Sequence, residues 1–207
     1  MSFYENRLLP FFIDFACSAP EIMAFRARVV PEARGDVLEV GMGSAINLGL
    51  YDADKVNKVY GLEPSVGMRR KAQKNLARSA VDVQWLDLPG EQIPLADKSV
   101  DSIVLTFTLC SIADWKKALQ QMHRVLKDDG VLLFCEHGLA PDAAVQQWQH
   151  RLTPFWRKCA GGCHLNRPVV DYLQQGGFMV QQSEQAYMPK APRFAGFMSV
   201  GRAVKQL

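Results

Sequence analysis

Two glycines separated by one residue, Gly41 and Gly43, follow the short apolar run Val37, Leu38, Glu39 and Val40. Where a strand turns sharply into a helix, missing side chains let a ligand lie against the backbone, and helix N–H groups can face its polar atoms. That chemistry suits a nucleoside-bearing cofactor, expected to sit along residues 37–51. Glu63 ends the next apolar run, and a carboxylate there can accept hydrogen bonds from both hydroxyls of a ribose. A plain surface acid at a strand end would look the same, but the glycine turn upstream favours the ribose role. The dinucleotide fingerprint needs a third glycine at position 46, where this chain has Ile46, which argues against a nicotinamide cofactor.

Other reactive side chains lie further along. His137 and His164 are candidate bases, each also readable as a histidine that merely organises a loop. His123 and His150 fall on helical patterns and read as surface residues. Cys159 and Cys163 beside His164 invite a metal reading, but two cysteines and one histidine fall short of a closed four-ligand zinc site. No metal is expected. Cys110 reads as a small residue lining a pocket.

Hydrophobic periodicity supplies the elements that must position these groups. Residues 6–16 and 21–29 read as two short helices around Ser18, Ala19 and Pro20. From residue 36 strands and helices alternate: strands at 37–40, 56–62, 81–85, 100–107 and 131–135, with a helix begun by Ser65 between the second and third. Trp115, Ala118, Leu119, Met122, Val125 and Leu126 put one apolar stripe on a helix that Asp128, Asp129 and Gly130 should stop. Val145, Trp148 and Leu152 mark another helix, expected to break at Pro154. Strands at 178–182 and about 195–204 complete the pattern. The expected fold is α/β, a doubly wound Rossmann-like sheet of seven strands, mostly parallel with an antiparallel last strand. No linker or repeat divides the chain, so residues 1–207 read as one domain, with 1–34 a helical lid over the substrate side. Ligands of such sheets bind at the carboxyl ends of the strands.

Four segments in this order, Leu38-Glu-Val-Gly-Met-Gly-Ser, Gly61-Leu-Glu-Pro-Ser, Ile93-Pro-Leu-Ala-Asp-Lys-Ser-Val-Asp and Val125-Leu-Lys-Asp-Asp-Gly-Val-Leu-Leu, resemble the motifs of class I S-adenosylmethionine-dependent methyltransferases of the ubiquinone-biosynthesis-like type. Thr108-Leu-Cys-Ser-Ile, Glu136-His137 and Gly162-Cys-His-Leu-Asn-Arg are similar to the thiol S-methyltransferase branch. The resemblance implies S-adenosylmethionine as cofactor, held by Glu39, Gly41, Gly43, Ser44, Asn47, Glu63, Pro64 and Met68. It also implies that the carbonyls of Thr106 and Phe107 receive the methionine ammonium. The chain departs from the family pattern at Ala45, where a third glycine is usual, and at Pro89-Gly90, where an Asp-Ala pair would hold adenine. Leu88, Gly90 and neighbouring backbone are then expected to hold the base, with Asp87 an open alternative.

The acceptor is expected to be a small, mostly apolar molecule, with a thiol favoured by the branch resemblance. Tyr4, Cys110, Trp148 and Asn166 are the expected substrate-side residues, and His137 or His164 the base. If the aromatic group of Phe3, Tyr4, Phe11 and Phe12 meets that of Trp148, Phe155 and Trp156, an apolar pocket results. C- or O-methylation of a quinone-like or lipophilic ring is the second reading, and a cofactor-binding module without chemistry the third. With 24 basic and 21 acidic residues the net charge is +3, too small to imply a nucleic-acid partner. Arg69, Arg70, Lys71, Lys74 and Arg78 share one predicted helix and read as its solvated face. The apolar stretch 8–16 contains Pro10 and Asp14 and is too short to span a bilayer, which leaves room for peripheral membrane contact only. Five cysteines without a secretory signal point to a reducing, cytoplasmic setting, in a monomer or homodimer.

Overall fold

The computed structural model describes residues 7–206. Two short helices, α1 (Leu9–Cys17) and α2 (Pro20–Arg26), precede the sheet. Strands β1 (Gly35–Val40), β2 (Val56–Leu62), β3 (Asp82–Leu86), β4 (Val100–Thr106) and β5 (Leu126–His137) are joined through α3 (Val66–Leu76) and α4 (Trp115–Val125). Helices α5 (Ala143–Cys159) and α6 (Val169–Gln175) lead to β6 (Phe178–Tyr187) and β7 (Phe197–Lys205). The sheet order is β3-β2-β1-β4-β5-β7-β6. Neighbours from β3 to β5 pair in parallel, and β7 runs antiparallel to both β5 and β6. This is the expected Rossmann-like sheet.

The central strands are apolar at consecutive positions because both faces are covered. Leu38, Leu105 and Leu132 belong to the core on one face, packed with Leu119 and Met122 of α4 and Leu173 of α6. Their chain neighbours Val37, Val104 and Leu133 belong to the other, with Phe25 of α2 and Val30. Chain order reverses between β1 and β4, and the cleft opens at the carboxyl ends of those two strands.

The helix starts follow local chemistry. Ser65 caps α3 by accepting the Met68 N–H at 3.3 Å, and Asp114 caps α4 by accepting that of Lys117 at 3.0 Å. The expected solvated basic face of α3 is partly paired, with Arg69 against Asp87 and Lys71 against Asp14.

Four boundaries differ from the sequence expectation. The helix after β1 is only a 3₁₀ turn, Ile46–Leu50. Asp128, Asp129 and Gly130 do not separate helix from strand, because Leu126 already pairs with Val100 and the segment lies inside β5. Helix α5 continues through Pro154; the Thr153 hydroxyl donates to the Gln149 carbonyl at 2.7 Å in the turn where the proline lacks an N–H. Strand β6 runs on to Tyr187, and a register shift between Val180 and Gln182 turns its later residues toward solvent, which hides its period. Helix α6 has no counterpart in the sequence reading; at seven residues it is too short to show a period.

Met122 is fully buried between α4 and the sheet. Met122→Ala is expected to cost about 2–4 kcal/mol in urea unfolding, with an unchanged m-value.

Candidate cofactor and acceptor site

A cavity of about 570 Å³ opens at the switch point between β1 and β4. One end is walled by the turn after β1. Gly41 and Gly43 have φ of +68° and +59°, the left-handed region where a side chain is strained. A Cβ on Gly41 would lie 2.3 Å from Thr108 Oγ1, and one on Gly43 would meet Met68 Cε at 3.2 Å. Ala45 is also left-handed at φ +60°, so it adopts the conformation a third glycine would take and bears its strain.

Glu63 lines the cavity beside this turn and is almost fully buried. Its Oε2 accepts the Gly43 N–H at 3.0 Å and its Oε1 that of Ser65 at 2.8 Å, leaving each oxygen further acceptor capacity. Burial raises its carboxyl above the usual range, opposed by those two N–H groups and by Arg69. A fixed acceptor beside a glycine cradle fits the ribose and backbone-facing parts of S-adenosylmethionine. Pro64, Met68 and Gly90 line the same cavity, as does Ser44.

Other expected cofactor residues stand elsewhere. Glu39 and Asn47 do not line the cavity. Asn47 donates to Glu39 at 2.8 Å and Tyr51 donates to its other oxygen at 2.8 Å. Arg26 of α2, which does face the cavity, donates to Asn47 Oδ1 and to Thr106 Oγ1. This network fastens the turn after β1 to the end of β4. Desolvation pushes the Glu39 carboxyl up to about 7, against the two donors and Arg26. Asp87 pairs with Arg69 at 2.7 Å and points outward with its side chain 63% exposed, while Leu88 packs on the core. Sequence offered no signal for Arg26, which comes from a separate helix.

The rest of the cavity wall comes from three further segments, the first of which touches the glycine turn through Thr108. Thr106 ends β4, and Phe107 just beyond it takes a left-handed φ of +53°. Their carbonyls already accept weak local donors, Thr108 Oγ1 at 3.0 Å and Cys110 Sγ at 3.6 Å respectively. The turn that follows is held by Glu136, whose Oε1 accepts the N–H groups of Thr108 at 2.7 Å and Leu109 at 3.1 Å. Burial pushes that carboxyl up to about 7, with the two N–H groups opposing. Arg167 donates to the carbonyls of Leu109 and Ile112, fixing the same turn from behind.

Among the candidate bases, His137 lines the cavity and is buried, with Nε2 3.2 Å from Cys163 Sγ. Cys110 and Cys163 line the cavity as well. His164 does not; its ring and its backbone N–H both reach the Cys110 carbonyl at 2.9 Å. Asn166 bonds to His150 and Thr153 outside the cavity, and Trp148 is 57% exposed. Tyr4 and Phe3 lie outside the described residues. The two aromatic groups therefore do not simply meet: Phe11, Phe12 and Phe155 are exposed, while Trp156 reaches the cavity. Leu9, Ile13 and Cys17 of α1 supply the facing wall.

Comparison with known proteins accords with this architecture. Residues 38–134 match the family model described as a methyltransferase domain. The thiol S-methyltransferase TMT1B of Rattus norvegicus is 32% identical over 173 residues, covering 82% of this chain and 70% of the relative. The chain belongs to the S-adenosylmethionine-dependent methyltransferases. A ubiquinone/menaquinone biosynthesis C-methyltransferase of Campylobacter jejuni is 26% identical over 102 residues, 49% of this methyltransferase and 40% of that protein. In fold, it is similar to the 1,6-didemethyltoxoflavin-N1-methyltransferase of Burkholderia thailandensis, at a TM-score of 0.70 and 14% identity, covering 97% of this chain and 88% of that one. No helix among the described residues is long and apolar enough to cross a membrane.

Glu39 ionises near 7 when folded but near 4.5 in the unfolded chain. Between those values the folded state binds more protons, so the stability contributed by Glu39 falls as pH rises from about 4.5 to about 7. Thermal melts of Glu39→Gln are expected to show a flatter pH dependence across that window than the parent chain.

Proposed function

We propose that this methyltransferase methylates the thiol of a small, mostly apolar acceptor. The observation that carries the reading is the sulfur and imidazole group of Cys110, His137 and Cys163 in the wall of the largely apolar cavity that the glycine turn also lines. The names of relatives such as the rat thiol S-methyltransferase support it. When bound, S-adenosylmethionine supplies an electrophilic methyl group on a sulfonium. Everything else falls to the chain: it must aim the acceptor sulfur along the line of that bond, keep water out and stabilise the thiolate.

On this reading Glu63 accepts from the ribose hydroxyls, and Met68 with Pro89 and Gly90 encloses the adenine. The carbonyls of Thr106 and Phe107 and the charge of Arg26 face the methionine portion. The described part of the N-terminal segment, residues 7–34, acts as the lid, with α1 closing the acceptor side through Leu9, Ile13 and Cys17. His137, rather than His164, is the imidazole able to act on the acceptor, because it lines the cavity while the His164 ring is bonded to Cys110.

Two measurements test this. Product formation is to be compared across alkyl thiols, hydrogen sulfide and quinone precursors; ring methylation without thiol turnover would overturn the acceptor assignment. Glu63→Ala is expected to weaken S-adenosylhomocysteine binding by about 2–4 kcal/mol, roughly 30- to 1,000-fold, through lost charge-assisted hydrogen bonds. Because burial raises the Glu63 carboxyl, affinity in the parent chain is expected to fall on acidification at a higher pH than an ordinary carboxylate would give. Calorimetry across pH checks both, and Glu63→Gln should abolish that part of the pH dependence.

A further inference from the structure

The three residues of this group come from separate segments. Cys110 lies in the turn after β4, His137 is the last residue of β5, and Cys163 follows the left-handed pair Gly161 and Gly162 beyond α5. One sulfur, one nitrogen and a second sulfur all lie within 4.8 Å of one another. Zinc takes thiolate ligands at about 2.3 Å and imidazole nitrogen at about 2.0–2.1 Å, so a tetrahedral site has ligand edges of roughly 3.4–3.8 Å. The contact between Cys163 Sγ and His137 Nε2, at 3.2 Å, is already close to such an edge. The remaining ligand-atom separations, none above 4.8 Å, exceed such an edge by no more than about 1–1.4 Å.

We infer that Cys110, His137 and Cys163 form a Cys₂His site for a soft divalent cation of the zinc class, with its fourth position open to the cavity.

The surrounding structure builds this site without help from an ion. His164 ties the Cys163 loop to the Cys110 turn twice, through its N–H and its ring, both to the Cys110 carbonyl at 2.9 Å. Arg167 and Glu136 hold the same turn from its other side. His137 Nδ1 is buried with no partner. Placing the ring proton there leaves the Nε2 lone pair facing Cys163 Sγ, the tautomer that ligation through Nε2 requires. Two thiolates and one imidazole also balance a divalent charge inside a cavity whose lining is mostly apolar. Three protein ligands with one open position is the arrangement of catalytic rather than structural zinc.

The ion site stands on its own geometry, whereas the occupant of its open position rests on the thiol reading. An acceptor thiol binding there loses its S–H proton to solvent, and the bonding pair becomes the sulfur–metal bond. A lone pair of that sulfur then forms the new S–CH₃ bond, while the C–S pair of the sulfonium stays with the cofactor sulfur. The thioether product is neutral, a weaker ligand, and departs. His137 serves as a ligand in this state, so the ion takes over ionisation of the thiol from the imidazole.

The test uses the full chain, reduced with a phosphine, stripped with a chelator and titrated with Co²⁺ without oxygen. One equivalent is expected to produce thiolate-to-cobalt charge transfer and tetrahedral ligand-field bands. Cys110→Ser, Cys163→Ser and His137→Ala should each lose those bands while still binding S-adenosylhomocysteine, which confirms folding; Cys159→Ser should keep them. An alkyl thiol should shift the bands of the parent chain. Absent bands with all thiols reduced, or bands that survive Cys163→Ser, would overturn the site. So would a Cys110–Cys163 disulfide in the oxidised chain together with no cobalt uptake by the reduced one, which would mark a redox pair. Undiminished thiol methylation by the stripped chain would overturn the role of the ion and leave the thiol reading intact. Bands without a thiol shift and without thiol turnover would sink the thiol reading and support the ion site alone.

Discussion

One buried carboxylate oxygen, Glu136 Oε1, receives two consecutive backbone N–H groups, those of Thr108 and Leu109, from the turn that leaves β4. The inner half of the cavity depends on this pair of bonds. A turn entering from the middle of a buried sheet must satisfy its amide groups without help from a neighbouring strand, and an unpaired one costs about 1–3 kcal/mol. With Glu136 on one side and the Arg167 guanidinium on the Leu109 and Ile112 carbonyls on the other, both kinds of backbone group are met. That leaves Cys110 with a fixed direction, and the left-handed Phe107 a supported place for its strain.

At the other end of the cavity the same problem has a different solution. The turn after β1 uses glycine where Thr108 and Met68 press on the backbone, and a side-chain network where they do not. Arg26, Asn47, Glu39, Tyr51 and Thr106 link an N-terminal helix, two strands and a 3₁₀ turn through hydrogen bonds between 2.6 and 3.0 Å. A positively charged side chain from outside the sheet thereby reaches the centre of the cleft. The wall facing the cofactor and the packing of α2 are one structure.

Legibility in the sequence followed the range of the forces involved. Strands buried on both faces appear as apolar runs, and the amphipathic stripe of α4 as its period, so the sheet and its main helices could be read directly. The glycine turn was legible because a left-handed backbone at Gly41 and Gly43 restricts residue type, and Glu63 because it directly follows the apolar run of β2. What could not be read was held by long-range pairing. Leu126 enters a strand because Val100 lies beside it, and Pro154 stays in a helix whose neighbouring bonds hold. Asp87, which the sequence leaves open as an adenine partner, pairs outward with Arg69, one turn into α3. The grouping of Cys163 with Cys110 and His137, instead of with its sequence neighbours Cys159 and His164, is a product of three loops meeting, and no spacing along the chain encodes it.

Strand β7 lies between β5 and β6, and β6 has no other neighbour in the sheet. The chain therefore makes β6 before the strand that gives it any hydrogen-bond partner. While β7 is undocked, β6 and the outer side of β5 both present open ladders, on the flank that carries Glu136 and His137. Closing that gap joins residues 61 to 71 positions apart, about as far along the chain as the 65 that separate the partners of the central β1–β4 pair. Both walls of the cavity thus depend on strand pairings of similar reach, and the flank with Glu136 and His137 is complete only when the end of the chain has docked.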